Sequence, residues 1–322
     1  MKADKLRRHY KYKASNFKDW EQKIHAEEYL VYPENIGKHI AIDEVSLSKG
    51  ELYTFVTNKS ANGKKGSLIA CIQGTKSDDI IKILNKIPLE KRQEVDEISL
   101  DMAPNMALSS RLSFPKSELV TDRFHVVKLV NEAMQHLRVK YRWEAIDQEN
   151  KAIKKAKNEK RKYVSPEFKN GDTVKQLLAR SRYVIAKKSN DWTKNQKERA
   201  EILFEKFPLL ESAYKLTMEF RNFYEEKLRD KAETKLQDWL KKTIEFEKDV
   251  FRTAANSIEN NKETILNFFN NRSTNANAES FNAKIKLFRA NQRGVADTRF
   301  FLFRLEKFFA LSPKNYAVPI IL

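Results

Sequence analysis

The chain has a single cysteine, Cys71, in 322 residues. One thiol excludes an internal disulfide and every zinc site built from several cysteines, and it fits a reducing compartment. Glycine and proline are also scarce, at 7 and 8 residues. So few breakers favour long helices. No apolar run approaches the length of a membrane-spanning helix, and no signal-peptide pattern opens the sequence. Positive charge is abundant: 62 Lys and Arg stand against 44 Asp and Glu, a net +18. That balance calls for a polyanion, and without a membrane segment nucleic acid is favoured over an anionic bilayer. The plainer alternative is a solvated basic surface. Hydrophobic residues at 41% and aromatics at 11% supply a sizeable core.

Residues 1–38 read as a basic N-terminal segment, a short helix and an irregular approach that Pro33 closes. From 39 to 73 the pattern is of strands. "HIAIDEVSL", "ELYTFVTN" and "SLIACIQG" are rich in Ile, Val, Phe and Thr and are joined by the turn-like "SKG" and "SANGKKG". "SDDIIKILNKIP" has helical spacing and ends at Pro88. "VDEISLDM" is a fourth strand, a short helix follows near Ala103, and "PKSELVTD" is a fifth strand ending at Asp122. Three strands, helix, strand, helix, strand predict an α/β fold with a mixed five-stranded sheet of the ribonuclease H kind. From Arg123 to about Asn270 nearly everything reads as helix. An all-α insertion is therefore assigned to 136–270, between core parts 39–135 and 271–322. In the last part Phe301, Leu305, Phe308 and Phe309 share helical spacing, which predicts a core helix.

Three acids stand out. Asp43 sits in an otherwise apolar strand, on one face with Ala41, Val45 and Leu47. An acid there is costly unless paired or metal-bound. Asp101 directly follows "EISL", and ligands of open α/β sheets gather at the carboxyl ends of strands. A helix cap is the alternative reading of Asp101. Glu279 is the lone acid of "NANAESFNAKIKLFRANQRG", among Lys284, Lys286, Arg289 and Arg293. On a helical wheel Glu279, Asn282, Lys286, Arg289 and Arg293 form one stripe, with Ala278, Phe281, Ile285 and Phe288 beside it. Glu279 is either a helix-start acid favoured by the macrodipole or a metal ligand. Carboxylates are the hard oxygen donors that Mg²⁺ takes, and two ions about 4 Å apart can serve a phosphoryl displacement.

The sequence resembles the DDE transposases of bacterial insertion sequences, most closely their ISL-three family. "AIDEVSLSKGELYTFVTN", "ISLDMAPNM", "TDRFHVVKLVNEAMQHLR" and "TNANAESFNAKIKLFRANQRGVADTRFFLFRL" carry the resemblance, in that order, over roughly residues 39 to 310. It implies a ribonuclease H-like catalytic core that cuts and joins DNA with Mg²⁺ or Mn²⁺, two ions in all. The catalytic and metal-binding acids become Asp43, Asp101 and Glu279. Lys284, Lys286, Arg289 and Arg293 become DNA-binding residues. The D-x-x-H element becomes Asp122 and His125, as auxiliary residues facing the site or as a helix cap and its partner. Ser280 stands where relatives often have glycine.

Relatives carry a zinc-binding segment and a helix-turn-helix ahead of the core, whereas about 38 cysteine-free residues precede the first strand here. The implied partners are transposon ends and target DNA, a separate end-reading polypeptide, and further copies of the chain on DNA, with no membrane. The implied place is the bacterial cytoplasm, on the nucleoid. A nuclease of the same fold that cuts without joining, and a DNA-binding remnant, stay open as alternatives.

Overall fold

The computed structural model describes residues 3–48, 50–272 and 276–310. Lys49 of the first turn, Thr274 and Asn275 of the last motif, and residues 311–322 of the C-terminal part lie outside the described residues. Contacts divide the chain into two compact units, Met1–Asp122 with Asn270–Leu322, and Arg123–Phe269.

In the first unit six strands form one sheet: β1 (Tyr29–Val31), β2 (His39–Ser48), β3 (Glu51–Asn58), β4 (Leu68–Gln73), β5 (Glu97–Leu100) and β6 (Glu118–Thr121). Their order is β1-β4-β3-β2-β5-β6. β1 to β4, β4 to β3 and β3 to β2 are antiparallel, whereas β2 to β5 and β5 to β6 are parallel. The hairpin from β2 to β3 pairs Ser48 with Glu51, and Gly50 at φ 84° takes the left-handed conformation that so short a link needs. The last five strands in that order make the expected ribonuclease H-like sheet. β1 is a sixth strand, on the edge, where the sequence reads as irregular. Three residues are too few to display an alternation, and pairing with Ala70–Ile72 defines the strand instead.

Both faces of the sheet are covered. Ile40, Ile42, Val56, Ile69, Ile98 and Leu119 meet α1 (Ser77–Leu84) and α2 (Pro104–Ser113) through Ile80, Leu84 and Met106. On the other face Val45, Leu47, Tyr53 and Phe55 share a cluster with residues of two C-terminal helices. The last of these spans Thr298–Phe309, and Phe300, Phe301, Phe303, Leu305 and Phe309 are all buried. Asp297 caps it by accepting from the Phe300 amide at 3.0 Å. The N-terminal segment joins the same cluster through Phe17, Trp20, Ala26, Leu30 and Tyr32. Buried Glu306 ties it down, accepting from Trp20 Nε1 at 2.5 Å and from the Tyr32 hydroxyl at 2.8 Å.

The second unit is helical. Its first helix, α3, runs unbroken over Arg123–Asn158, so no break marks residue 136. Val126, Val130, Met134 and Leu137 are buried at the three- and four-residue spacing of one helix face. Two later helices, Val174–Arg180 and Lys194–Lys206, begin with capping boxes at Thr173 and Thr193.

Candidate active site

Three aspartates stand on neighbouring strands, Asp43 midway along β2 and Asp101 and Asp122 just past the ends of β5 and β6. In the pairing of β2 with β5, Ala41 stands opposite Ser99. In that of β5 with β6, Leu100 stands opposite Thr121. Carried forward, these registers set Asp43 opposite Asp101 and Asp101 opposite Asp122. The Asp122 amide donates to the Leu100 carbonyl at 2.7 Å, continuing the ladder past the last strand residue. Register partners in a parallel sheet project from the same face, with about 4.8 Å between strands. Asp43 and Asp101 are partly buried and Asp122 is buried.

Backbone and amide groups orient the first two. Asp43 accepts from the Glu44 amide at 2.8 Å and from Asn282 Nδ2 at 2.5 Å. Asp101 accepts from the Ala103 amide at 2.8 Å, a turn that leads into α2. Below them Lys59, at the start of the turn that follows β3, donates to Glu97 at 3.1 Å and to Ser99 at 2.7 Å, holding β5 in place. The Glu44 carboxyl is raised above its ordinary value by partial burial, then by the charges of Asp101 and Asp43, against a hydrogen bond from Asn105.

The helix that supplies Asn282 is α4 (Ala276–Asn291). Phe281 and Ile285 are buried, and the Phe281 ring meets Phe55 edge-on at 5.9 Å. The apolar stripe read from the sequence therefore docks on the sheet, except that the Ala278 side chain lies outside the described residues. Gly63 lies under this helix: a Cβ there would come within 3.6 Å of the Phe281 backbone nitrogen. Asn282 is buried, while Glu279, one turn earlier, is exposed. Lys284 donates to the Gly63 carbonyl at 2.6 Å and Arg289 to the Ser46 carbonyl at 2.7 Å. Lys286 is exposed. Arg293 falls outside the stripe because the helix ends at Asn291. It sits at φ 57° in the turn that Gly294, at φ 105°, completes. Even so, Lys286, Arg289 and Arg293 line one open groove of about 750 Å³ with Glu44, Val45 and Ser46.

The predicted residues thus fall into groups. Asp43, Asp101 and Asp122 share one line, and the three bases share the adjoining groove. Among the described residues no group of three or more His, Cys, Asp or Glu side chains is arranged to hold a metal ion. Two carboxylates on one face still suit a hard divalent ion, which binds through one or two of them and keeps other positions for water and phosphate. His125 belongs to the helical unit, where its ring meets Phe124 at 5.7 Å. Three features escape the sequence reading: the roles of Glu44 and Asn105, and the placement of Asp122 in register. Glu44 follows Asp43 directly, so adjacency was a signal; the other two depend on strand and helix pairing.

A family model described as a transposase, of the DDE class and ISL3 type, matches residues 40–305. The match begins in β2, includes all of the residues above, and ends inside the last helix. No curated protein and no solved structure matches the chain.

Proposed function

Because the chain belongs to the ISL3 family of DDE transposases, which act on DNA, we propose that it cuts DNA at the Asp43–Asp101 pair and joins the freed end to a target. The observation that carries the reading is the register of β2 with β5, which supports two carboxylates side by side on one face. A divalent ion held there, Mg²⁺ or Mn²⁺, would neutralise phosphate charge and make a bound water acidic. Asn282 and the Glu44 amide keep the Asp43 oxygens aimed, and the Ala103 amide does so for Asp101. Glu279 lies on the same helix as Asn282, one turn earlier, and is the third acid of the proposed site. Lys286, Arg289 and Arg293 line a groove suited to the DNA backbone, and Lys284 braces their helix through Gly63.

The reaction needs no covalent protein intermediate. Water attacks a phosphorus, the new P–O bond forms in line, and the strand leaves with a 3′-OH. That hydroxyl then attacks a target phosphodiester and displaces its 3′-oxygen. Positioning and charge neutralisation supply the catalysis. Asp122 and His125 are auxiliary in this scheme, and copies of the chain act together on the paired DNA ends, with or without a separate end-reading protein.

A strand-transfer assay on terminal inverted-repeat DNA with Mg²⁺ or Mn²⁺ tests the proposal. Joined products are expected. Cleavage without joining would leave a nuclease, and binding alone would leave a DNA-binding remnant. If Asp101→Asn and Glu279→Gln both keep full activity, the acids are not the site.

A further inference from the structure

Two groups of arginines in the helical unit contrast. Arg180 and Arg199 both donate to Asp172, whose side chain is wholly buried, Arg199 at 2.8 Å. Arg138, Arg142 and Arg182 form no ion pair among the described residues. Arg138 is 7% exposed and is held by neutral acceptors, the Leu178 carbonyl at 2.7 Å and Gln135 at 2.8 Å. Arg142 stands one turn further along α3, and its Nε is buried without a hydrogen-bond partner. Arg182 is exposed, donates to the Tyr183 hydroxyl and lies over the same ring, 4.4 Å from its centre, and Tyr183 is itself 56% exposed. The Leu178 carbonyl that holds Arg138 lies four residues before Arg182, so the segment that carries Arg182 packs on α3 at Arg138, and burial, then the fields of Arg142 and Arg182, hold the Arg138 pKa down.

Like charges one turn apart destabilise a helix, and a buried donor left unpaired costs more. Arg221 of the same unit also lacks an ion pair among the described residues and is held by neutral acceptors, the Ala186 carbonyl and Asn131, but Arg138, Arg142 and Arg182 are gathered together. An unpaired trio is therefore suited to an anion from outside the chain. Guanidinium forks match phosphate oxygens, and an exposed tyrosine under an arginine offers a stacking face to a base.

We propose that Arg142 and Arg182, backed by Arg138, form a phosphate-binding site for DNA within the helical unit, with Tyr183 stacking on an unpaired base. The proposal rests on the family's DNA substrate and not on the aspartate pair, so the two can fail separately.

The test is fluorescence anisotropy of the full chain on a random-sequence labelled duplex across a salt series. Each lost phosphate contact lowers the slope of log K against log salt by about 0.9. The double variant Arg142→Gln with Arg182→Gln should lower it by about 1.8 and weaken binding at least roughly tenfold near 0.1 M salt. Lys241→Gln, an exposed lysine of the same unit, controls for loss of charge and should change the slope little. Relief of repulsion should leave the double variant's melting temperature unchanged or higher. Tyr183→Ala should weaken a single-stranded oligonucleotide by roughly fivefold or more while leaving the duplex slope in place. If the double variant does not fold, Arg182→Gln alone, at an exposed position, carries the test with a slope change of about 0.9. An unchanged slope in the folded variant, or a loss no larger than that of Lys241→Gln, overturns the proposal.

Discussion

Asp172 in the helical unit and Glu44 in the sheet unit are acids set in opposite fields. Burial raises the pKa of Asp172, but two arginines outweigh it and hold the carboxyl below its ordinary range. Burial also raises Glu44, and the aspartates beside it push it further in the same direction. One acid is satisfied by the protein's own cations. The other shares its space with more negative charge, which folding alone gives no reason to gather. Acids held together against their repulsion mark a place where a cation or proton is expected from outside. The pattern is mirrored in the helical unit, where paired arginines surround Asp172 and an unpaired trio lies elsewhere in the same unit.

The sharpest way to break this comparison is Asp101→Asn. If Asp101 belongs to a site and not to the fold, strand transfer should fall by about 10²–10³-fold, the several kcal/mol expected of metal-assisted charge stabilisation. The thermal midpoint should stay level or rise, since one of three crowded charges is gone. A matching loss of stability would make Asp101 a structural cap of the turn into α2 and remove the contrast with Asp172.

The converse variant is Asp172→Asn. It leaves Arg180 and Arg199 facing a neutral amide in a buried position. Removing one partner of such an arrangement costs about 3 kcal/mol, read as a shifted denaturant midpoint. DNA cleavage per folded molecule should not change. The pH dependence has a definite sign. A carboxyl whose folded pKa is depressed contributes stability above its unfolded value, and loses it as pH falls through the lower folded value. The variant's stability should therefore approach that of the native chain in strong acid and differ most near neutrality.

Much of this was open to reading in the sequence. Alternation around "IAIDEVSL" puts Asp43 on a face with Val45 and Leu47, and Val45 and Leu47 are buried together on the face that α4 covers. The apolar stripe of α4 followed from Phe281 and Ile285 at helical spacing. What stayed hidden depended on partners distant in the chain. β1 is defined by its pairing with β4 and not by its own three residues. The line through Asp43, Asp101 and Asp122 follows from two inter-strand registers that no local pattern encodes. Arg138 and Arg142 are one turn apart in plain view, but the approach of Arg182 is tertiary. Arg293 fits a helical wheel only if the helix continues, and the turn at Gly294 ends it.

The finest test is Glu44→Gln, which removes one charge from the crowded end of the comparison without touching a strand contact. Glu44 is partly exposed, so the gain in stability at neutral pH should be at most about 0.5 kcal/mol. Its pH dependence runs opposite to that of Asp172. A carboxyl whose folded pKa is raised contributes stability that is complete below the unfolded value and is lost as pH rises through the folded one. The native chain should thus lose a small increment of stability between the ordinary glutamate range and the raised value, and the glutamine variant should not. Saturating Mg²⁺ should shrink the difference at neutral pH, because a cation beside Asp43 and Asp101 relieves the same repulsion. If native and variant curves stay parallel across that range, with and without Mg²⁺, the field around Glu44 is not the one that its neighbours imply.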